Sequence, residues 1–563
     1  MDWQKPLLIA AMGAIVFTLI LRWADFQDAQ QAETPRPSAT APATQGGDND
    51  ALPEEPSDAG IPRAPEDASD DVTPTVAATT APQRPIEVRT DTLNLTIDPR
   101  GGDIVRLSLP QHYDSLDTPD VPFTLLRDTE FQTYVSQSGL IGPNGTDTAE
   151  GRPVFHSDRT EFELADGEDT LEVDLHYQAG DVSIIKRYRF TRGDYLIELE
   201  YLIDNQSDQP WRANLYGQIK RDALDHNPTS GGMFTLKPYL GPAMTTNEDR
   251  YNKINFSDLR SDEIRSTVDG GWVAMVQHYF VSAWVPDQQR EHNIHLRRMG
   301  NRDLYLLGFT SPRTEVAPGE TGVISAGFYA GPKYTHRLEE IAPYLDLTVD
   351  YGWLWWLAKP LFWLLNFIHG FVGNWGLAII ALTVVIKAAF FKLSATSYRS
   401  MAKMRKLSPK MQELKERYGS DRQKMSQELM KLYKKEKVNP LGGCLPILVQ
   451  MPVFLALYWV LMESVELRHA PFFAWIVDLS VRDPYFILPI LMGGTMFIQF
   501  KLNPTPPDPT QAKVMQMMPI IFTFLFLWFP AGLVLYWLTN NTLSIAQQYV
   551  ITRQIEGADE KKA

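Results

Sequence analysis

Nearly all the long apolar runs of this chain crowd into residues 353–552, whereas residues 1–350 are mostly polar. About 20 consecutive apolar residues cover the ~30 Å hydrocarbon core of a bilayer. The second half therefore reads as a membrane domain and most of the first half as a domain folded in water. An apolar content of 44% over 563 residues conceals that division. Net charge is −15 and equally uneven: residues 392–437 carry fourteen Lys/Arg against five Asp/Glu, while residues 25–81 carry twelve acids and two arginines. One basic block in an acidic chain points to a membrane face or an RNA-rich partner, not to a basic DNA-binding protein. The single cysteine, Cys444, excludes a disulfide framework within one chain. It leaves the compartment open, because a large exported domain folds without such staples.

The first apolar run, Leu7–Leu21, follows Lys5 and precedes Asp25 and Asp28. Trp3 and Trp23 bracket it, twenty residues apart, which is about 30 Å of helix. No small-x-small cleavage site follows, so residues 1–24 are expected to be an uncleaved anchor with a cytoplasmic N-terminus. Residues 25–85 are acidic and rich in Ala, Pro and Thr, a composition expected to remain a disordered linker. From Ile86 to about residue 340 short alternating runs take over, such as Leu93-x-Leu95-x-Ile97, Val182–Phe190 and Tyr195-x-Ile197-x-Leu199-x-Tyr201-x-Ile203. Turn sequences such as Asp98-Pro-Arg-Gly-Gly102 and Arg192-Gly-Asp194 punctuate them, so residues 86–340 are expected to form an antiparallel β-sandwich.

Residues 351–369 are aromatic-rich around Lys359-Pro360 and fit an amphipathic helix lying along the bilayer surface. The apolar runs that follow give spans at about 371–392, 441–461, 482–501, 514–530 and 532–552. The last two come from one run split at Phe529-Pro-Ala-Gly532, since proline with glycine interrupts a helix. With the N-terminal anchor the count is six. That count alone puts the 392–437 block, Lys501, Lys513 and Arg553 on one cytoplasmic side, as the positive-inside rule requires. Both termini, including the 553–563 tail, are then cytoplasmic, and the sandwich is periplasmic.

Between the second and third spans, Met401, Met404, Leu407, Met411, Leu414 and Tyr418 recur at helical spacing up to Gly419. Ser420–Gln423 fits a capping box that opens a second helix bearing Met425, Leu429 and Leu432, with Pro409 kinking the first. Residues 394–437 thus form a helical hairpin. Its apolar stripes zip the helices together, and its basic face, with Lys403, Arg405, Lys406, Lys410, Lys415 and Arg417, suits anionic lipid heads or ribosomal RNA.

Within the apolar spans the polar residues are few. Lys387 lies about 18 Å of helix beyond Trp375, where a lysine costs roughly 2.5–3.5 kcal/mol and so calls for a cavity or partner. Snorkelling beside Lys392 would also account for it. Thr383 stands one turn earlier on the same face. Gln450, Gln499 and Asn540, with Trp537 nearby, add polar groups on three further spans. The set fits a shared hydrophilic groove, and these spans hold no acid near mid-membrane.

Five longer motifs give the chain a family likeness: Leu347-Thr-Val-Asp-Tyr-Gly-Trp353, Val372-Gly-Asn-Trp-Gly376, Ser400-Met-Ala-Lys-Met-Arg405, Glu436-Lys-Val-Asn-Pro-Leu-Gly-Gly-Cys444 and Phe529-Pro-Ala-Gly-Leu-Val-Leu-Tyr-Trp537. With them the sequence resembles the YidC/Oxa/Alb insertase family in its long Gram-negative form. The resemblance implies an α-helical insertase core in the inner membrane and a periplasmic sandwich similar to galactose mutarotases. It implies a groove open to cytoplasm and lipid, with its positive charge at Lys387, where the family often has arginine, and substrate contacts at Thr383, Tyr536 and Trp537. The implied partners are nascent inner-membrane proteins, the Sec translocon and its accessory subunits, the ribosome and targeting machinery, and membrane lipids. No cofactor, metal or covalent chemistry is implied.

Two rival classes are weaker. A secondary transporter built on Lys387 would show internal repeats and paired broken helices, and no two-fold repetition is evident. A sugar-modifying enzyme would need convergent acid and base groups, whereas His226 and His278 are scattered without a pairing and His292-x-x-His295 reads as a surface pair.

Overall fold

The computed structural model describes residues 60–62, 84–148, 151–225, 238–300, 303–418, 422–436, 445–503 and 509–560. The N-terminal anchor, nearly all of the acidic linker, His226, Gly419 with the capping box, Cys444 and the Pro504–Pro507 loop fall outside them. The chain divides into two compact units, one mainly of residues 30–349 and one mainly of residues 350–563.

The first unit is two β-sheets. One runs, in spatial order, through Ile264–Asp269, Glu291–Arg298, Leu304–Thr310, Trp211–Asp222, Thr133–Ile141, Pro122–Asp128, Asp103–Tyr113, Asn94–Asp98, Ile86–Arg89 and Glu161–Glu163, with Thr314–Val316 beside Trp211–Asp222. The other runs through Asn252–Lys253, Gly241–Met244, Val273–Val276, Phe280–Val285, Glu320–Pro332, Leu196–Asn205, Val182–Thr191 and Thr170–Ala179. Pairing is antiparallel except between Ile86–Arg89 and Glu161–Glu163, which are parallel. The class follows from side-chain alternation. Along Val182–Thr191 every second residue is buried, and Ile197, Leu199, Tyr201 and Ile203 do the same on the neighbouring strand.

Lys186 falls in that buried register and is 0% exposed. Its Nζ donates to the carbonyls of Gly101 at 2.8 Å and Ser138 at 3.1 Å, so one lysine ties the two sheets together. Nearby, Arg152 pairs with Asp103 and, at 2.6 Å, with Asp147, and donates to Ser138 O at 2.8 Å. The histidine pair departs from the sequence reading. His292 and His295 are buried, not on the surface: both lie within the strand Glu291–Arg298, which is covered on both faces at these positions. Three residues apart on a strand they point to opposite faces, and burial presses the His295 imidazole down to about 3.

The second unit is helical. After the short helix α1 (Thr335–Ile341) that closes the first unit, its helices are α2 (Trp355–Val372), α3 (Trp375–Ala389), α4 (Phe391–Lys406), α5 (Ser408–Tyr418), α6 (Arg422–Lys435), α7 (Leu445–Glu463), α8 (Ile487–Leu502), α9 (Pro509–Phe526) and α10 (Ala531–Glu560). The surface helix begins four residues later than the sequence suggested, because Gly352 takes φ 59° and a 3-10 turn precedes α2. Gly373, at φ 64°, ends α2 with a left-handed cap. The hairpin's first helix is broken rather than kinked. α4 stops at Lys406 and α5 restarts at Ser408, putting Pro409 in a first turn where its missing N–H costs nothing.

No single described helix is long and apolar enough to cross a membrane by itself; α3 and α4 qualify only together, as a pair bent by 68°. α9 ends at Phe526 and α10 begins at Ala531, with Pro530 in the break. The loop before α8 holds this corner: Ala531 N donates to Val481 O at 2.7 Å and Gly532 N to Leu479 O at 2.9 Å. Asp483, 1% exposed, accepts from the amides of Tyr485 (3.0 Å) and Leu488 (2.7 Å) and from Trp475 Nε1 (3.1 Å), so it caps α8.

Candidate functional site

α3 is placed by its ends. Asn374 is its N-cap, accepting from Leu377 N at 3.0 Å, and its amide donates to Pro471 O at 3.2 Å. Gly376 lies directly against the Phe472 ring, with no room for a side chain. Two turns on, Thr383 is buried and returns its hydroxyl to Ile379 O at 2.7 Å.

One turn further Lys387 reaches across to two other helices. Its Nζ donates to Ser544 Oγ on α10 at 2.7 Å and lies 3.5 Å from Gln450 Oε1 on α7. Gln450 Nε2 donates to Asn540 Oδ1 at 2.5 Å, and Ser544 Oγ donates to Asn540 O at 2.7 Å. The loop of bonds Lys387–Gln450–Asn540–Ser544 joins three helices through side chains of which only the lysine carries charge. No carboxylate pairs with Lys387 among the described residues. A small cleft with room for about one water molecule adjoins the ammonium and is lined by Ile386, Phe390, Leu393, Ser394, Val449 and Gln450.

Tyr536 and Trp537 sit above this loop, at the start of α10. Tyr536 is 2% exposed with the Gln450 side chain facing its hydroxyl. The Trp537 ring packs edge-on against Phe454 at 4.9 Å and Phe526 at 5.5 Å, and its Nε1 is buried without a partner among the described residues. Gln499 does not join. It lies half-buried on α8, outside the Lys387 loop. Ser544 is the member that sequence reasoning missed. The signal was present, since Trp537, Asn540, Asn541, Ser544 and Gln548 recur at spacings of three and four and form one polar stripe on α10. Asn541, Ser544 and Gln548 are all buried.

The hairpin shows a different electrostatics. Leu407 and Met411 are buried, and Tyr433 Oη donates to Met411 Sδ at 3.3 Å, which fastens α6 to α5. Lys403, Arg405, Lys406, Lys410 and Arg417 are exposed, while the Lys415 side chain is outside the described set. Two of these cations are already engaged: Lys410 with Glu436 at 2.8 Å, which holds that carboxyl below its usual range, and Arg417 with Glu413 at 3.1 Å.

Comparison with known proteins bears on both units. The family described as the YidC periplasmic domain matches residues 85–364, and that described as the 60Kd inner membrane protein matches residues 367–560. A protein of Cellvibrio japonicus named membrane protein insertase YidC is 62% identical, with 100% of each chain covered. Another of the same name from Stutzerimonas stutzeri is 55% identical, with 99% of each chain covered. Among solved structures, an active YidC insertase with its first transmembrane domain resolved aligns with 83% of this chain and 92% of its own, at 18% identity and a TM-score of 0.37. A galactose mutarotase related enzyme from Lactobacillus acidophilus aligns with 44% of this chain and 97% of its own, at 8% identity and a TM-score of 0.29. Likeness at those scores adds nothing; the sequence matches, end to end and at more than half identity, establish that this chain belongs to the YidC family of inner-membrane protein insertases.

Proposed function

We propose that the helical unit passes the hydrophilic parts of a nascent membrane protein through a groove whose charge is Lys387. The observation that carries this is the ammonium's setting: held by the neutral Ser544 and Gln450 beside a small cleft, with no carboxylate partner among the described residues. An acidic segment of a client is drawn to an uncompensated cation in a low-dielectric site far more strongly than in water. Gln450, Asn540 and Ser544 supply hydrogen bonds to polar groups that hydrocarbon cannot. Thr383, Tyr536 and Trp537 line the path, with Gln499 farther along it. The client's own apolar span then partitions into lipid, so no bond is made or broken. Lysine preserves the charge of the arginine often found in this family but loses its bidentate fork.

The same reading assigns six spans, cytoplasmic termini and a periplasmic sandwich. α2 lies in the interface, which its exposed Trp355, Trp356, Trp363, Phe367 and Phe371 support. The basic hairpin meets the ribosome, targeting machinery and lipid heads, and the insertase works alone or beside the Sec translocon and its accessory subunits. The test is insertion of a single-span client with an acidic exported tail, in cells depleted of their own insertase. Intact chain and Lys387→Arg should restore insertion while Lys387→Ala fails. Equal insertion with Lys387→Ala would make Lys387 a snorkelling anchor only.

A further inference from the structure

One piece of the acidic linker does not behave as its composition suggests. Gly60 and Pro62 are buried and Ile61 is half-buried against the sandwich. Gln218, 1% exposed on the strand Trp211–Asp222, donates its Nε2 to Gly60 O at 3.0 Å. That nitrogen also lies 3.1 Å from Gln137 Oε1, and Gln137 Nε2 donates to Asp103 at 2.8 Å, the partner of Arg152. A linker carbonyl is thus the outer end of a polar chain that runs into the buried ion cluster. Gly60 adopts φ +70°, a conformation that strains any side chain. Its α-carbon faces Met299 and Leu306, both buried, with a Cβ position 3.4 Å from Met299 Cε and 3.6 Å from Leu306 Cδ1.

We propose that this is a peptide site built into the sandwich, and that its resident ligand is the chain's own Gly60-Ile61-Pro62, acting as a latch on the linker. The ligand class is a short glycine–aliphatic–proline segment. The site recognises its carbonyl through Gln218, its left-handed glycine by backbone shape, and its proline by burial. Gly-Ile-Pro occurs once in the linker, and no other linker glycine precedes an aliphatic residue. Tethering makes a weak site effective, because a ligand carried a few tens of residues away is present at millimolar effective concentration. Where the latch matters for insertion it rests on the membrane anchor proposed above. Closed, it leaves residues 24–59 to set the sandwich's reach; open, it leaves residues 24–85. At ~3.5 Å per residue that difference is on the order of 90 Å of maximal extension.

Trypsin reads the latch directly. Arg36 and Arg84 each precede proline, so Arg63, next to Pro62, is the one cleavable site between residues 25 and 85. In the whole protein in detergent, cleavage after Arg63 should be at least tenfold slower for the intact chain than for Gly60→Val or Ile61→Ser. Both changes lie outside every strand, and unchanged near-ultraviolet circular dichroism would confirm the sandwich is intact. A labelled peptide spanning residues 57–66 should bind the Gly60→Val chain, whose site is vacated, and not the intact one. Equal cleavage rates in all three chains, or equal peptide binding to both, would overturn the proposal. Client insertion measured in parallel separates this outcome from failure of the groove reading, since latch variants keep Lys387 and its partners.

Discussion

Each unit of this protein withdraws a lysine from bulk solvent, Lys186 fully and Lys387 by half, and the two are solvated in opposite ways. Lys186 of the sandwich is held by two backbone carbonyls, within the field of Asp103 and Asp147, and its Nζ lies 5.4 Å and 5.5 Å from the rings of Tyr188 and Tyr201. Lys387 of the helical unit has a serine hydroxyl, an amide oxygen and a small cleft. Lys186 therefore belongs to a closed cluster of buried charges and acceptors, a device that fixes one packing of two sheets. Lys387 has neutral hydrogen-bond partners and no carboxylate partner among the described residues, the setting on which the proposed groove rests.

The sharpest way to break the closed cluster is Arg152→Ala. It strands Asp103 and Asp147 in the interior, and removing one partner of a buried ion pair costs about 3–5 kcal/mol. Hydrogen exchange in the strands Thr133–Ile141 and Val182–Thr191 of the whole protein should speed by the corresponding factor of 10² or more. Client insertion, for which the proposed groove lies in the other unit, should not respond until the sandwich unfolds.

Methionine in place of each lysine compares the two sites directly. Lys186→Met leaves the carbonyls of Gly101 and Ser138 less satisfied and should destabilise the sandwich by about 1–3 kcal/mol. Lys387→Met removes an uncompensated charge from apolar surroundings, so the helical unit should melt no lower than the parent. Insertion of an acidic-tailed client should nonetheless fall at least tenfold, read as protease-protected product. A melting temperature that falls with Lys387→Met would mean that this lysine, too, is structural.

How much of this was legible in the sequence differs between the units for a physical reason. A strand buries every second residue, so the alternation in Val182–Phe190 and Tyr195–Ile203 marked the sandwich, and even Lys186 sits in the inward register. That it lies beside the Arg152–Asp103–Asp147 cluster was not legible, since these come from distant strands and loops. The histidine pair was misplaced because a polar residue type was read as exposed, whereas its strand is covered. In the helical unit, Lys387, Gln450 and Asn540 stood out as polar residues in apolar runs. Ser544 did not, because a small hydroxyl is common in any helix and only the register with Asn540 singles it out. The Gly60–Pro62 contact was hidden by the composition of the residues around it.

Lys186 also gives the sandwich a pH signature. Burial presses its ammonium from 10.5 down to about 7, against the opposing field of Asp103. Between those values the unfolded chain holds a proton that the folded chain has released. Stability therefore rises with pH across the window, by up to about 1.4 kcal/mol per unit, and is flat below it. Hydrogen-exchange protection of Val182–Thr191, corrected for intrinsic rates, should increase from pH 7 to pH 9 in the parent and stay level in Lys186→Met. A parent profile that is flat would show that the carbonyls and acids keep this lysine charged.

The smallest effect concerns the hairpin, whose charges are exposed where Lys186 is buried and Lys387 half-buried. Lys410 and Arg417 are already engaged by Glu436 and Glu413, so much of their field is spent within the hairpin. Lys403 and Arg405 are exposed on α4 with no described ion pair, leaving their field free for an anionic surface. Replacing Lys403 and Arg405 by glutamine should weaken binding of the reconstituted protein's hairpin to ribosomes a few-fold and lower its salt dependence. The same change at Lys410 and Arg417 should do less, because it frees two carboxylates but removes charge that was already balanced. Equal losses from the two pairs would mean that the Glu413 and Glu436 contacts open on binding, and that net charge alone, rather than its local pairing, sets the attraction.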